Sequence, residues 1–301
     1  MLIEDWLLIT VCAAFLQNAR SLLQRRLTGT LSVNGASYVR FLYALPFAWL
    51  YAMWLWQGEP TGFNSEFFLY ITLGAIAQIL ATSALVAAVS SGNFAVGTAF
   101  SKTEAAQAAM VGLVLLGEGV GPWVVIGIFV SLFGVVLLAG EINWRQLLRS
   151  GGLGADPRLQ RGLWLGLLAG AGFGLSAVGF RGASLALDAG DYLQRAGLAV
   201  MVSVTLQTLL MGGYLLAREP GELSRVVGEW RAAIWVGMIG MAASVGWFTA
   251  MTLNNAAVVR AVGQIELLFT MFTSVFFFKE RLRRREIFGI GLVVLGIWLL
   301  I

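Results

Sequence analysis

Apolar runs, each closed by a short polar break, follow one another along the whole of this 301-residue chain. Wound as a helix, a run of about 20 residues crosses the roughly 30 Å hydrocarbon core of a bilayer. The pattern predicts spans near residues 5–27, 33–56, 66–89, 93–116, 120–140, 162–184, 192–216, 231–252, 256–278 and 285–301. A polar connector, 141–161, with the turn-forming stretch Gly151–Pro157, separates the fifth span from the sixth. Membrane β-barrels alternate apolar and polar residues over segments of about 10 residues, which these runs do not do. The expected fold is therefore an all-α polytopic membrane protein of ten transmembrane helices.

One polar interruption occurs twice. The apolar stretch Asn93–Gly119 carries Lys102, Glu104 and Gln107 near its middle. Displaced by 162 residues, Asn93 falls on Asn255, Val96 on Val258, Ala99 on Ala261, Glu104 on Glu266 and Glu118 on Glu280. The same register pairs Ala81 with Ala243, Ala88 with Ala250, Gly127 with Gly289, Ile128 with Ile290 and Gly134 with Gly296. Earlier spans follow an offset of 155, which pairs Arg26 with Arg181, Gly35 with Gly190 and Arg40 with Arg195. Two five-helix copies are implied, residues 1–140 and 162–301, joined by the connector 141–161. Since five is odd, the second copy enters the bilayer in the opposite sense, as an inverted repeat.

Charge in equivalent loops points the same way. Gly117–Pro122 has no Lys or Arg, whereas its counterpart carries Lys279, Arg281, Arg283, Arg284 and Arg285. The 2–3 loop has no basic residue, whereas Arg218, Arg225 and Arg231 lie at or near the 7–8 loop. Basic loops stay on the cytoplasmic side. The connector, with Arg145, Arg149 and Arg158, and the turn at Arg25 and Arg26 are then cytoplasmic, and both termini face outward. A bacterial-type inner membrane is the expected location.

Composition narrows the function. The chain is 58% hydrophobic and 12% charged, far from the roughly 25% charge of a soluble domain. Its net charge of +4 reads as arginine in cytoplasmic loops rather than as a nucleic-acid surface. The first apolar run follows Glu4 and Asp5, without the basic leader of a cleavable signal. A single cysteine and the absence of histidine leave no disulfide and little material for a metal site or a His-assisted nucleophile. No phosphate-cradling G-x-x-x-x-G-K-[ST] is present, nor a row of arginines at every third residue of a span. Neither an enzyme nor a cofactor is expected.

The stretches YVRFLYALPF (38–47), SKTEAAQAAMVGLVLLGE (101–118), GQIELLFT (263–270) and FFFKE (276–280) resemble the EamA-like, ten-helix branch of the drug/metabolite transporter superfamily. The resemblance covers essentially the whole chain. It implies two five-helix repeats around a central cavity that opens to either side in alternation, and carriage of amino acids, other small metabolites, cationic drugs or nucleotide sugars. Many members are thought to keep both termini in the cytoplasm, the reverse of what the loop charges here predict.

Glu104 and Glu266 are the first candidate site residues. A carboxylate at mid-membrane depth costs roughly 2.5–3.5 kcal/mol on insertion scales, so two at equivalent points call for a purpose. They would bind protons, a cationic group, or each in turn; the bland alternative is a structural ion pair with Lys102 or Arg260. Lys102, Gln107, Arg260 and Gln264 share their spans and would set selectivity. Arg40 could grip a carboxylate or phosphate, or snorkel to an interface, a reading that suits Arg195 better. Asn18 in the first span, Gln78 in the third and Trp247 in the eighth are candidate cavity contacts, with interhelical bonding and packing as their alternatives. Gly162, Gly166, Gly170 and Gly174 lay a smooth stripe along the sixth span that lets another helix approach closely.

A secondary transporter of a small polar or amphipathic metabolite follows, with a zwitterion such as an amino acid as first expectation and protons as a coupling ion. It would work in the lipid bilayer as a monomer or homodimer, without nucleic acid. Two alternatives stand beside it: a proton-coupled exporter of organic cations, and a non-transporting subunit that handles lipid or a membrane partner.

Overall fold

The computed structural model describes residues 5–27, 29–56, 58, 62–90, 94–138, 157–188, 190–277 and 284–301. Asn93, Glu59, Pro60, most of the connector and Lys279–Arg283 lie outside them, as do the side chains of Arg25, Arg26 and Arg158. The loop-charge expectations that rest on these residues lie outside with them.

All regular structure among the described residues is helical, and helix falls on each predicted span. The first half contributes α1 (Asp5–Leu27), α2 (Val33–Leu42), α3 (Leu45–Leu55), α4 (Ser65–Ser90), α5 (Phe94–Ser101), α6 (Glu104–Leu116) and α7 (Pro122–Leu138). The second contributes α8 (Pro157–Leu185), α9 (Tyr192–Arg218), α10 (Glu222–Gly228), α11 (Trp230–Leu253) and α12 (Ala256–Val262). A 3-10 turn (Gly263–Ile265), α13 (Glu266–Phe277) and α14 (Arg284–Leu300) complete it. Five helices, α1, α4, α8, α9 and α11, contain uninterrupted stretches long and apolar enough to cross a membrane.

The shorter helices also present surfaces that suit lipid. Trp54, Trp123, Trp298 and Val114 are each at least two-thirds exposed, as are many further large apolar residues, a surface that water would not tolerate at this extent. Several hydroxyls are satisfied within their own helices. Thr10, Thr82, Thr205, Thr208, Ser244 and Thr252 each donate their hydroxyl to the carbonyl four residues back. That is the partner available to a hydroxyl where no water reaches.

Three predicted spans are not single helices. Residues 33–56 divide into α2 and α3 where Pro46, which has no N–H to give, stands in the first turn of α3. Residues 93–116 divide at Lys102–Thr103, and residues 256–278 at the 3-10 turn.

Packing resolves the chain into two compact units. One comprises Met1–Ile76 with Gly179–Asn255, the other Ala77–Val178 with Ala256–Ile301. The units cut across the sequence halves, because each takes part of both.

In the first unit, Asn64 and Asp191 cap helix starts by accepting from the amides of Phe67 (2.8 Å) and Gln194 (2.9 Å). Arg181 closes the other end of α11: its guanidinium donates to the carbonyls of Met251 (2.6 Å) and Asn254 (2.7 Å), where the helix dipole is negative. Two carboxylates hold the start of α2. Glu219 accepts from the Ser32 hydroxyl and the Asn34 amide, both at 2.6 Å, and fully buried Glu222 accepts from the Ser32 N–H at 2.6 Å. These bonds to its ionised form hold the Glu219 carboxyl below its ordinary range.

In the second unit, α7 and α14 meet backbone to backbone. A Cβ added at Gly127 would lie 2.8 Å from the Gly296 carbonyl oxygen, and one at Gly134 would lie 2.7 Å from that of Gly289. Only hydrogen fits at either point.

Two outcomes test this account. Gly134→Ala should destabilise the protein in detergent by about 1–3 kcal/mol through overpacking. Gly291→Ala, on the same pair of helices but with open space around its Cβ, should be neutral or slightly stabilising; equal melting of the two variants would contradict the crossing. Glu219 has a lowered folded-state pKa, so its contribution is complete above its ordinary value of 4.5 and fades as pH falls through the lower folded value. The gap in melting temperature between wild type and Glu219→Gln should therefore be constant near neutrality and shrink below about pH 4.5.

Candidate functional site

The two interruptions in the second unit stand at the same place in the 162-residue register. Lys102–Thr103 corresponds to Gln264–Ile265 of the 3-10 turn, and the helices resume at Glu104 and Glu266. Each carboxylate thus occupies the first turn of a half-helix, where unpaired N–H groups and the helix dipole favour negative charge.

Lys102, in the first interruption, forms an ion pair with Glu266, which opens the half-helix after the second. Their side chains retain 16% and 17% exposure. Lys102 also lies within electrostatic reach of Glu104 and Arg260. Arg260, from the last turn of α12, and Glu104 are both buried. Two cations and two carboxylates therefore share one neighbourhood, and their charges balance.

Gln264 ties the pieces together. It is 1% exposed, and its amide is used at both ends. Its oxygen accepts from the Ser131 hydroxyl on α7 at 2.7 Å, and its nitrogen donates to the Lys102 carbonyl at 3.4 Å. One interruption thereby bonds to the other. Gln107 serves the first: its amide donates to the Thr103 hydroxyl oxygen at 2.6 Å and to the Leu167 carbonyl on α8 at 3.3 Å. The glycine stripe of α8 makes room for this. A Cβ at Gly166 would meet the Gly97 carbonyl oxygen at 2.6 Å, one at Gly170 the Thr103 hydroxyl at 2.8 Å, and one at Gly174 the Ala108 nitrogen at 2.9 Å. The stripe seats the broken helix.

Six of the sequence-derived residues, Lys102, Glu104, Gln107, Arg260, Gln264 and Glu266, thus belong to one cluster. Gln78, half-buried on α4, belongs to the same unit, and its carbonyl accepts from Thr82 at 2.8 Å. Asn18, Arg40 and Trp247 belong to the other unit. There the Trp247 indole donates to Gln17 at 3.0 Å, the Arg40 guanidinium lies 4.5 Å from the centre of the Phe41 ring, and Asn18 is half-buried. Among the described residues no group of three His, Cys, Asp or Glu side chains could hold a metal.

The helix breaks and Ser131 are what sequence reasoning missed. A signal for the first break was present: Thr103 before Glu104 is a helix-start pair lying inside an apolar run. Ser131 is a lone hydroxyl among apolar neighbours and carries no such mark.

The ion pair has a measurable strength. Lys102→Met and Glu266→Gln should each lower thermal stability, and the double variant should lose less than the sum, with a coupling of about 0.5–3 kcal/mol. Strictly additive losses would mean that the two side chains do not act as a pair.

Comparison with known proteins places this arrangement. The model of the EamA-like transporter family matches residues 160–301. No curated protein matches the chain in sequence. A solved structure titled only "Crystal structure of protein" superimposes with a TM-score of 0.72 over 99% of this chain and 97% of its own, at 14% identity, a likeness of fold alone. Residues 160–301 are thus similar to the EamA-like transporter family, the domain of the drug/metabolite transporter superfamily, and the apolar helices make the chain a multi-pass membrane protein.

Proposed function

We propose that the protein is a secondary transporter that moves a small polar metabolite, a zwitterion such as an amino acid in the first instance, by alternating access. In this reading ten spans form two inverted five-helix repeats in a bacterial-type inner membrane, with both termini outside. The observation that carries it is the pair of interrupted helices, aligned at 162 residues, around a charge-balanced cluster. Irregular backbone at membrane depth is tolerated only where protein or a watery cavity surrounds it, and transporters use such breaks to bind substrate and coupling ions.

The glycine crossing supports the inversion. Gly127 approaches Gly296, which is the equivalent of Gly134, and Gly134 approaches Gly289, the equivalent of Gly127. Such reciprocal contacts are those of a self-complementary, two-fold interface. The balanced charges favour a zwitterion over a lipophilic cation, because Lys102 and Arg260 would repel a second cation as strongly as the carboxylates attract it. A proton-coupled cation exporter would require the reverse preference.

A thermal-shift screen of the purified protein tests this directly. Amino acids, nucleosides, polyamines and quaternary amines would be compared at two pH values, with Glu104→Gln and Glu266→Gln in parallel. Zwitterions should raise the melting temperature of the wild type by mass action, and the shift should vanish in both variants. Stabilisation by quaternary amines that grows in Lys102→Ala or Arg260→Ala would favour the cation exporter. A zwitterion shift untouched by either Glu variant would overturn the assignment of the site.

A further inference from the structure

The two equivalent carboxylates are not equivalently partnered. Under the 162-residue register Lys102 corresponds to Gln264, and Glu266 to Glu104. The counterpart of the Lys102–Glu266 ion pair would be Gln264 with Glu104, where the chain has a neutral amide in place of an ammonium. That amide is committed elsewhere, to Ser131 and to the Lys102 carbonyl. Glu104 is nine-tenths buried and makes no ion pair among the described residues.

From this asymmetry we infer that Glu104 is the residue that takes up and releases the coupling proton, while Glu266 stays ionised against Lys102. The purpose of such a proton rests on the transporter reading above; its detection does not. The step is proton transfer alone: the Glu104 carboxylate accepts a proton from water and later returns it to water. Glu104 acts on Lys102 from the adjoining interruption, and the other charged groups that act on that lysine are Glu266 from α13 and Arg260 from α12. Helix α7 offers no titratable residue, and neither does the Gly170–Gly174 stretch of α8 that packs against α6.

Protonation at this point changes what the cluster attracts. With both carboxylates ionised, Lys102 and Arg260 are balanced. With Glu104 neutral, one positive charge is in excess and the ammonium group of a bound zwitterion loses its partner, so proton and substrate compete for the same carboxylate. At Glu266 the same protonation would instead break the direct ion pair with Lys102 and leave its ammonium only the more distant Glu104 carboxylate, a costly state away from water. The resident lysine therefore assigns the two equivalent acids to different tasks, one fixed and one exchangeable.

Infrared difference spectroscopy of the protein in lipid nanodiscs, titrated across pH, reads the protonated carboxyl C=O stretch without any substrate. The wild type and Glu266→Gln should share a titrating band that Glu104→Gln lacks. Lys102→Gln should add a second titrating band, which disappears in Lys102→Gln/Glu266→Gln. Gln264→Lys supplies the missing ammonium while retaining Glu104, and should remove or markedly displace the first band; this arm decides the matter even where Glu104→Gln does not fold. A full wild-type band in Glu104→Gln, or its loss in Glu266→Gln, would overturn the assignment. The titrating band without any ligand-induced stabilisation would refute the transporter reading alone, and pH-dependent ligand binding that survives Glu104→Gln would refute the proton site alone.

Discussion

A backbone in lipid has no water to fall back on, so every amide and carbonyl released by a broken helix must find a partner in the protein. This constraint governs the second unit. The residues gathered around its two interruptions are those that can supply such partners. Gln264 gives its amide to the Lys102 carbonyl and takes a hydroxyl from Ser131. Thr103 turns its own hydroxyl back to the Phe100 carbonyl at 2.6 Å while accepting from Gln107. Glycines on α8 remove the side chains that would keep a neighbouring helix at arm's length, and α8 reaches the break itself. Charged groups then sit where the helix ends favour them. The charged cluster and the repair of the backbone draw on the same few residues.

That economy explains the polarity of the site. An ion pair well shielded from water is weak evidence of stability on its own, because the desolvation of both charges offsets much of their attraction. Here the Lys102–Glu266 pair joins α5 and α6 to α13, elements drawn from opposite halves of the sequence, and it does so beside a hydrogen-bonded glutamine that crosses the same gap. Losing either partner leaves a charge without its mate at two helix ends at once. The first unit is held by a different means: carboxylates at the mouth of α2 and a guanidinium at the end of α11, each placed against the appropriate pole of a helix.

How much of this was written in the sequence depends on the length scale. Apolar runs located the helices, since a segment in lipid has few ways to satisfy its backbone other than winding up. The 162-residue register brought Lys102, Glu104, Arg260, Gln264 and Glu266 under suspicion together, because charge within an apolar run is rare. The breaks were harder to see. Hydropathy averages over a window, and a two- or three-residue turn hardly changes the mean; only Thr103 and Gly263 hinted at it. Which lysine meets which glutamate is a matter of packing between segments more than 130 residues apart, as Ser131 with Gln264 is, and no local pattern encodes it. Nor did the halves foretell the compact units, each of which takes part of both.

The glycine crossing of α7 with α14 has a consequence of its own. On the proposed inverted repeat, this self-complementary contact needs no second sequence: one half alone would carry both of its faces, and two separate copies could make it by collision. Joined in a single chain, the faces find each other at an effective concentration set by the linker rather than by the cell. Fusion also lifts a restriction. Two identical subunits must answer every substitution twice, so a lysine opposite one glutamate would be a lysine opposite both. Within one polypeptide the copies can be edited separately, and positions 102 and 264 now hold different residues. Covalent continuity is thus what allows a nearly symmetric scaffold to carry an asymmetric charge.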